Sequence, residues 1–383
     1  MAEQKEGPNR QVFVFAGGGT GGHLYPAVAL AEELRQHVPE AEVVFVGTPR
    51  GLEATVLPRL GWPVHMIAVR GMRRQLTPAN VAVPFRAMLS VAQSLVLLRR
   101  LRPAVVVGTG GYVSGPVVVA AWLLRVPRVI QEQNVRPGVT TLLLARLAHQ
   151  VHVSYEESVA FFPRREKVHV SGNPVRRRPP ELSQIEARRR FGLSPELPTL
   201  LVFGGSQGAR RINEAMMGAL PALMMRPQLQ MIWGTGQADF DRVREVAARF
   251  GERVLVRAYI DDMYTAYRAS DVAVCRAGAI TLAELALFGL PALLVPYPFA
   301  AGQHQEWNAR TLAQRGAARV LLDEETTAER LIVELTPLLE DQEGLKRMGM
   351  RMAELARPEA AARIVAAILA LAARSDTHAG PHG

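Results

Sequence analysis

His23 stands directly after Gly17-Gly-Gly-Thr-Gly-Gly22, which itself follows the apolar residues 11–16. An imidazole can gain or lose a proton around neutral pH, so this side chain can exchange one with a ligand held by the loop. Glycine lacks a Cβ, so the backbone can turn sharply here and approach that ligand closely. Residues 26–34 behind the turn have helical spacing. Strand, glycine turn and helix N-terminus together make a site for an anion or a polar ligand.

The second half carries two more such places. Residues 271–275 read as a strand and Arg276-Ala-Gly-Ala-Ile-Thr-Leu-Ala-Glu284 turns from it into a helix. The N–H groups near Ala279, Ile280 and Thr281 can receive a diphosphate. Glu284, in the first turns, is placed to accept hydrogen bonds from a ribose diol; the alternative is that it only complements the helix dipole. Residues 295–308 read as a polar, irregular loop rich in amides, suited to the hydroxyls of a neutral sugar.

The same residue types admit competing chemistries. Gly17-x-Gly19-x-x-Gly22 satisfies the dinucleotide fingerprint, which expects an acidic residue about 20 positions on, at the end of the second strand. That strand, residues 42–46, ends in Gly47-Thr48-Pro49, and its only carboxylate, Glu42, is at the wrong end. Asp239-Phe-Asp241 is formally a metal-binding DxD, yet it lies at the start of an amphipathic helix, where dipole-complementing acids are common.

The elements that must position these residues alternate in type. Residues 43–46, 64–69, 104–107, 129–131 and 150–153 read as buried strands with helices between them, notably 79–100. Near Ser171 the pattern breaks into Gly172-Asn-Pro-Val-Arg-Arg-Arg-Pro-Pro180, a proline-rich basic joint. A second series starts at 198–203 and runs into Gly204-Gly-Ser-Gln-Gly208 and a helix from about Ala209. Such alternation predicts α/β domains with parallel sheets, their glycine loops at the carboxyl ends of the strands and the active site in a cleft between them.

With 383 residues the chain suggests a pair of domains. The single cysteine, Cys275, excludes an internal disulfide and fits a reducing compartment. Residues 1–8 are polar and charged, so no secretory signal is expected there. No apolar run reaches the roughly 18 residues of a spanning helix, which predicts a protein that is soluble or lies on a membrane surface. The net charge of +10 points to an acidic partner. The arginine clusters are scattered and lack interleaved aromatics, so a nucleic-acid partner is not expected.

Seven motifs occur in one order: Gly17-Gly-Gly-Thr-Gly-Gly-His23, Gly108-Thr-Gly-Gly-Tyr-Val-Ser-Gly-Pro116, Glu132-Gln-Asn134, Gly172-Asn-Pro-Val-Arg176, Gly204-Gly-Ser-Gln-Gly208, Arg276-Ala-Gly-Ala279 and His304-Gln305. In them, and over nearly its whole length, the chain resembles the MurG family of peptidoglycan N-acetylglucosaminyltransferases. One departure is Gln303, where that family often carries a charged residue.

The resemblance implies a GT-B fold: two Rossmann-like domains facing a central cleft, with a C-terminal helix crossing back to the first. Residues 1–175 with about 357–375 would bind the acceptor, undecaprenyl-pyrophosphoryl-MurNAc-pentapeptide. Residues 176–356 would bind the donor, UDP-N-acetylglucosamine. It places Ser206 and Gln207 at the diphosphate, the Ile260 backbone at uracil, Ala279, Ile280 and Thr281 beside the diphosphate, Glu284 at the ribose, and His304 and Gln305 at the sugar. Thr20, Gly21, Gly22, His23, Asn134 and Arg176 would complete the donor contacts. Gly18, Gly19, Gly110, Gly111 and Tyr112 would meet the acceptor. His23 is then the candidate base for the acceptor hydroxyl, or alternatively only orients loop and sugar. No metal or other cofactor is implied. The implied location is the cytoplasmic face of the bacterial plasma membrane, with other cell-wall or division proteins as further partners.

A lipid-linked acceptor must be met at an anionic bilayer surface. On a helix over 81–100, Phe85, Leu89, Ala92 and Val96 form one apolar stripe and Met88, Val91, Leu95 and Leu98 the next. Arg73, Arg74, Arg86, Arg99 and Arg100 flank them, the pattern of an interfacial helix. The alternative is a helix packed against the sheet on both stripes.

Overall fold

The computed structural model describes residues 10–69, 83–176, 182–205 and 208–378. The chain divides into two compact units, Met1–Arg176 with Pro358–Gly383, and Arg177–Arg357.

In the first unit the strands are β1 (Val12–Gly17), β2 (Glu42–Gly47), β3 (Val64–Met66), β4 (Val105–Gly110), β5 (Arg128–Glu132), β6 (Gln150–Val153) and β7 (Val168–Val170). The helices are α1 (Gly21–His37), α2 (Glu53–Arg59), α3 (Val83–Leu101), α4 (Gly111–Leu123) and α5 (Val139–Ala145). All strand pairs are parallel, in the order β3-β2-β1-β4-β5-β6-β7. The predicted strand over 64–69 is shorter than expected: the Ile67 N–H still bonds the Gly47 carbonyl, but the Ala68 N–H turns to Gln93 Oε1 on α3 at 2.8 Å.

Strand residues alternate between two cores, as they must when helices cover both faces. Phe13, Phe15, Val43, Phe45 and Val105 point to one side; Val14, Ala16, Val44, Val46 and Val106 point to the other. The first core is closed by α1 and by the last helix of the chain, whose Ile364, Val365, Ile368 and Leu371 pack with Leu24, Ala27 and Ala31. The carboxyl-terminal helix therefore belongs to the first unit, as expected.

The second unit carries α6 (Gln184–Arg190), β8 (Thr199–Phe203), α7 (Arg210–Met224), β9 (Gln230–Gly234), α8 (Phe240–Ala247), β10 (Val254–Arg257), α9 (Met263–Ala269), β11 (Val272–Cys275), α10 (Ala279–Phe288), β12 (Ala292–Leu294), α11 (His304–Gln314), β13 (Ala318–Val320), α12 (Ala328–Glu340) and α13 (Gln342–Glu354), and α14 (Ala360–His378) follows as the helix returned to the first unit. Its sheet is parallel, in the order β10-β9-β8-β11-β12-β13.

Each sheet reverses its winding between its first and fourth strands, β1/β4 and β8/β11. Ligands of open α/β sheets bind beyond the carboxyl ends of the strands at such switch points. The glycine loops 17–22 and 108–111 flank the first. Gly204-Gly205 and Arg276–Ala279 flank the second.

The segment 295–308 differs from the expectation of an irregular loop. Helix α11 starts at His304, after a turn in which Gly302 and Gln303 have φ of 62° and 56°. Those left-handed residues reverse the chain after Pro296 and Pro298 and aim it into a helix, which local composition does not reveal. Of the helix expected over 79–100, residues 79–82 lie outside the described residues, and α3 occupies the rest.

Candidate active site

At the first switch point the structure gathers most of the expected unit-one residues into one cluster. Thr20 caps α1, and its Oγ1 lies 3.1 Å from Nδ1 of His23. Thr109 Oγ1 donates to the His23 carbonyl at 2.7 Å, tying that turn of α1 to the end of β4. The imidazole lies against Gly110: a Cβ added there would sit 2.6 Å from Cδ2 and 3.2 Å from Nε2. Gly110 also has φ of 103°, and Gly111 has φ of 74°. Both positions therefore need glycine for conformation and for the space that the histidine occupies. On the other side of the loop, a Cβ on Gly19 would fall 2.8 Å from Cε1 of Tyr112. His23 thus has Thr20, Gly110 and Gly111 as neighbours, and Gly19 has Tyr112.

Glu53, which sequence reasoning missed, holds this cluster from behind. It is fully buried. Its Oε2 accepts the Gly19 N–H at 2.9 Å, and its Oε1 accepts both the backbone N–H and the hydroxyl of Thr48 at 2.9 Å. The Gly19 N–H is therefore engaged inside the protein.

Asn134 follows β5. Glu132 Oε1 accepts from its backbone N–H (3.0 Å) and its side-chain amide (3.1 Å), while Glu132 Oε2 accepts from the Gly138 N–H at 3.2 Å. Next to it, the Gln133 amide donates to the Thr109 carbonyl at 2.6 Å, and Asn173 donates to the Gln133 carbonyl at 3.0 Å. This amide network joins the 108–111 loop, the Glu132-Gln-Asn134 turn and the Gly172-Asn-Pro174 segment. Arg176 forms a two-pronged ion pair with Glu32 on α1, at 2.5 and 3.2 Å.

In the second unit, Ser206 and Gln207 lie outside the described residues. Ala279, Ile280 and Thr281 form the first turn of α10, with Gly278 as its cap. One turn on, Oε2 of Glu284 accepts the Tyr267 hydroxyl at 2.9 Å. Burial pushes the Glu284 carboxyl up to about 7, and the tyrosine bond only partly opposes this. The Tyr267 phenol is itself pushed well above its ordinary value by burial and by that carboxylate, so it stays a donor. Ile260 is buried beside Gly234, whose added Cβ would lie 3.0 Å from its Cδ1.

The 295–305 turn is braced by Arg276, which donates to the Val295 and Pro296 carbonyls at 3.1 Å and pairs with Asp323 at 2.5 Å. Gln305 Oε1 accepts the Tyr297 N–H at 3.0 Å, and His304 Nδ1 lies 2.7 Å from the Ala301 carbonyl. His304 and Gln305 thus open α11 as ordered groups. Asp239 and Asp241 have other partners: Asp239 accepts from Asn213 (2.9 Å) and Arg242 (3.1 Å), and Asp241 pairs with Arg244 at 3.3 Å.

The model of the glycosyltransferase family 28 N-terminal domain matches residues 13–153, and that of its C-terminal domain matches residues 199–364. The chain belongs to glycosyltransferase family 28. It is 46% identical over 363 residues to the UDP-N-acetylglucosamine–N-acetylmuramyl-(pentapeptide) pyrophosphoryl-undecaprenol N-acetylglucosamine transferase of Chlorobium luteolum, covering 94% of this chain and 98% of that one. The enzyme of the same name from Desulforudis audaxviator is 41% identical, over 94% of this chain and 98% of its own. Among solved structures, Acinetobacter baumannii MurG superposes with a TM-score of 0.74 at 30% identity, covering 94% of this chain and 99% of that one. The Neisseria meningitidis UDP-GlcNAc 2-epimerase shares the fold alone, with a TM-score of 0.64 at 14% identity over 94% of this chain and 99% of that one. Two parallel-sheet domains with the carboxyl-terminal helix returned to the first are the GT-B architecture of family 28.

Proposed function

We propose that this chain transfers N-acetylglucosamine from UDP-N-acetylglucosamine to the C4 hydroxyl of MurNAc in undecaprenyl-pyrophosphoryl-MurNAc-pentapeptide. The observation that carries this reading is 46% identity over 94% of the chain with a transferase of that name, with the family's motifs at both switch points. The second unit takes the donor. Glu284 accepts from the ribose diol, the first-turn N–H groups of α10 face the diphosphate, and His304 and Gln305 meet the sugar. The first unit takes the acceptor through Gly110, Gly111 and Tyr112.

The chemistry is a single displacement. The acceptor oxygen attacks the anomeric carbon opposite UDP, the bond to the diphosphate oxygen breaks, and an α-linked donor gives a β-1,4 product. Negative charge grows on the departing UDP, where fixed N–H dipoles stabilise it without reorganising. The proton of the hydroxyl passes to His23, held by Thr20, Thr109 and Gly110. No metal has a part in these steps.

The acceptor is a membrane lipid, and α3 is the surface we propose for it. The first half of this helix presents apolar residues outward, while Leu95, Leu97, Leu98 and Leu101 of its second half pack on the core. Ser90 and Ser94 are fully buried, with hydroxyls bonded back to the Arg86 and Ser90 carbonyls, while Phe85, Met88, Leu89 and Val96 are 51–72% exposed. Of the second stripe, Leu98 is buried, Val91 and Leu95 are half-buried and Met88 is exposed. Small hydroxyls suit the close contact of α3 with α4. The outward apolar stripe, with Arg86, Arg99 and Arg100 exposed beside it, suits an anionic bilayer at the cytoplasmic face. Arg73 and Arg74 lie outside the described residues. No described helix is long and apolar enough to cross a membrane.

A transfer assay with UDP-N-acetylglucosamine and a short-chain acceptor tests the reading. The wild type forms disaccharide product, and His23→Ala lowers kcat by roughly 10²–10⁴ while the donor KM hardly moves. No product from the wild type overturns the transferase reading; a loss under about tenfold removes His23 as the proton acceptor.

A further inference from the structure

We infer that Glu53 is a positioning residue for His23, a buried carboxylate that fixes the glycine loop in the geometry the proton transfer needs; this rests on the reading of His23 above. Three observations carry it. The side chain is fully buried, yet its acceptors are matched to donors: Gly19 N–H on one oxygen, Thr48 N–H and hydroxyl on the other. Hydrogen bonds to a charged acceptor are the strong ones, so the loop is tied at Gly19, one residue before the cap of the histidine's helix.

Space has been left for the carboxyl from three directions. A Cβ on Gly18 would lie 2.5 Å from its Cδ and 2.6 Å from either oxygen, and Cβ atoms on Gly47 and Gly51 would collide with the same side chain. Glycines from the first turn, the end of β2 and the approach to α2 therefore form its pocket.

The tether also reaches the imidazole through contacts. The Gly18 carbonyl packs on Gly111, and a Cβ on Gly111 would lie 3.3 Å from His23 Nδ1. In a dinucleotide-binding unit the acid that follows β2 reaches outward to a ribose. Here Glu53, six residues beyond the strand, is turned inward onto the loop.

Glu53→Gln keeps the shape but puts an amide N–H against one of the donor groups. At saturating donor and acceptor, kcat should fall about tenfold to a hundredfold with the donor KM unchanged. The acidic limb of the kcat–pH profile should also move to lower pH, because loss of a nearby negative charge disfavours the imidazolium. An unchanged kcat, or a loss with the acidic limb unmoved, overturns the inference. If Glu53→Gln does not fold, Thr48→Val, which removes one hydroxyl donor, is measured instead: a kcat loss of about threefold or more at constant donor KM upholds the inference, and an unchanged kcat overturns it. His23→Ala run in parallel separates the two readings. Should it lose no rate, the proton-acceptor reading falls as well; should it lose rate while Glu53→Gln does not, only the role of Glu53 falls.

Discussion

Tyr267 donates its hydroxyl to Glu284 at 2.9 Å, inside the second unit and one helical turn beyond the first-turn N–H groups of α10. The pair keeps one carboxylate oxygen occupied and fixes the side chain's orientation. Burial, the dominant cause, holds that carboxyl up at about 7.

Donor binding should therefore depend on pH. Below about 7 the free enzyme carries a neutral Glu284, a poorer acceptor for a ribose diol. The donor KM should rise as pH falls from 8 to 6, approaching tenfold per unit at the acid end. Glu284→Ala should raise it roughly ten- to a hundredfold at pH 8. The stability sign is opposite. A carboxyl whose folded pKa is raised contributes stability below its unfolded value, and that is lost as pH rises through about 7. Glu284→Gln should thus gain on the order of 2 kcal/mol at pH 8 while binding donor worse. Donor titration and thermal melts on the two variants check both signs.

Gly110→Ala tests the seat of the histidine. The new methyl meets the imidazole at 2.6 Å and must adopt φ of 103°. We expect kcat to fall about a hundredfold with the donor KM nearly constant. Stability should drop by about 1–3 kcal/mol. A variant with wild-type kcat would show that His23 tolerates displacement.

On α3, replacing Arg86, Arg99 and Arg100 with glutamate should weaken binding to anionic vesicles, more so at low salt. Phe85→Ser and Met88→Ser should weaken it at any salt, since they remove apolar rather than charged contacts. Turnover of a short-chain, water-soluble acceptor should be spared in each. Vesicle sedimentation that is unaltered in all of them would place the membrane contact elsewhere.

His152, buried between Ser171 and Gln150, is held down to about 3 by desolvation and by neighbouring His169. As pH falls below about 6.5, the unfolded chain takes up the proton and the folded one does not, so stability is lost progressively toward pH 3. Denaturant unfolding at pH 7 and pH 4.5 should differ less in His152→Gln than in the wild type, by about 2 kcal/mol.

How much of this is readable from the chain depends on how local each cause is. The glycine loops, the alternating strands and His23 are legible because a turn, a strand and a helix start announce themselves within a few residues. Glu284 is legible as a first-turns carboxylate, but Tyr267 is not, since the fold alone brings α9 to α10. Glu53 reads as an ordinary acidic first-turn residue of α2; only the convergence of Gly18, Gly47 and Gly51 on its carboxyl distinguishes it. Helix α3 shows its apolar stripes in the sequence, yet which side faces water is settled by Ser90 and Ser94 packing inward. The start of α11 at His304 is hidden by a left-handed turn that resembles a loop in composition.

An inverting transfer of N-acetylglucosamine is read from the anomeric configuration of its product. Wild-type protein, UDP-N-acetylglucosamine and a short-chain MurNAc-pentapeptide acceptor should give a disaccharide whose new linkage is β-1,4 by NMR. An α linkage, or release of free N-acetylglucosamine with no disaccharide, would contradict the account.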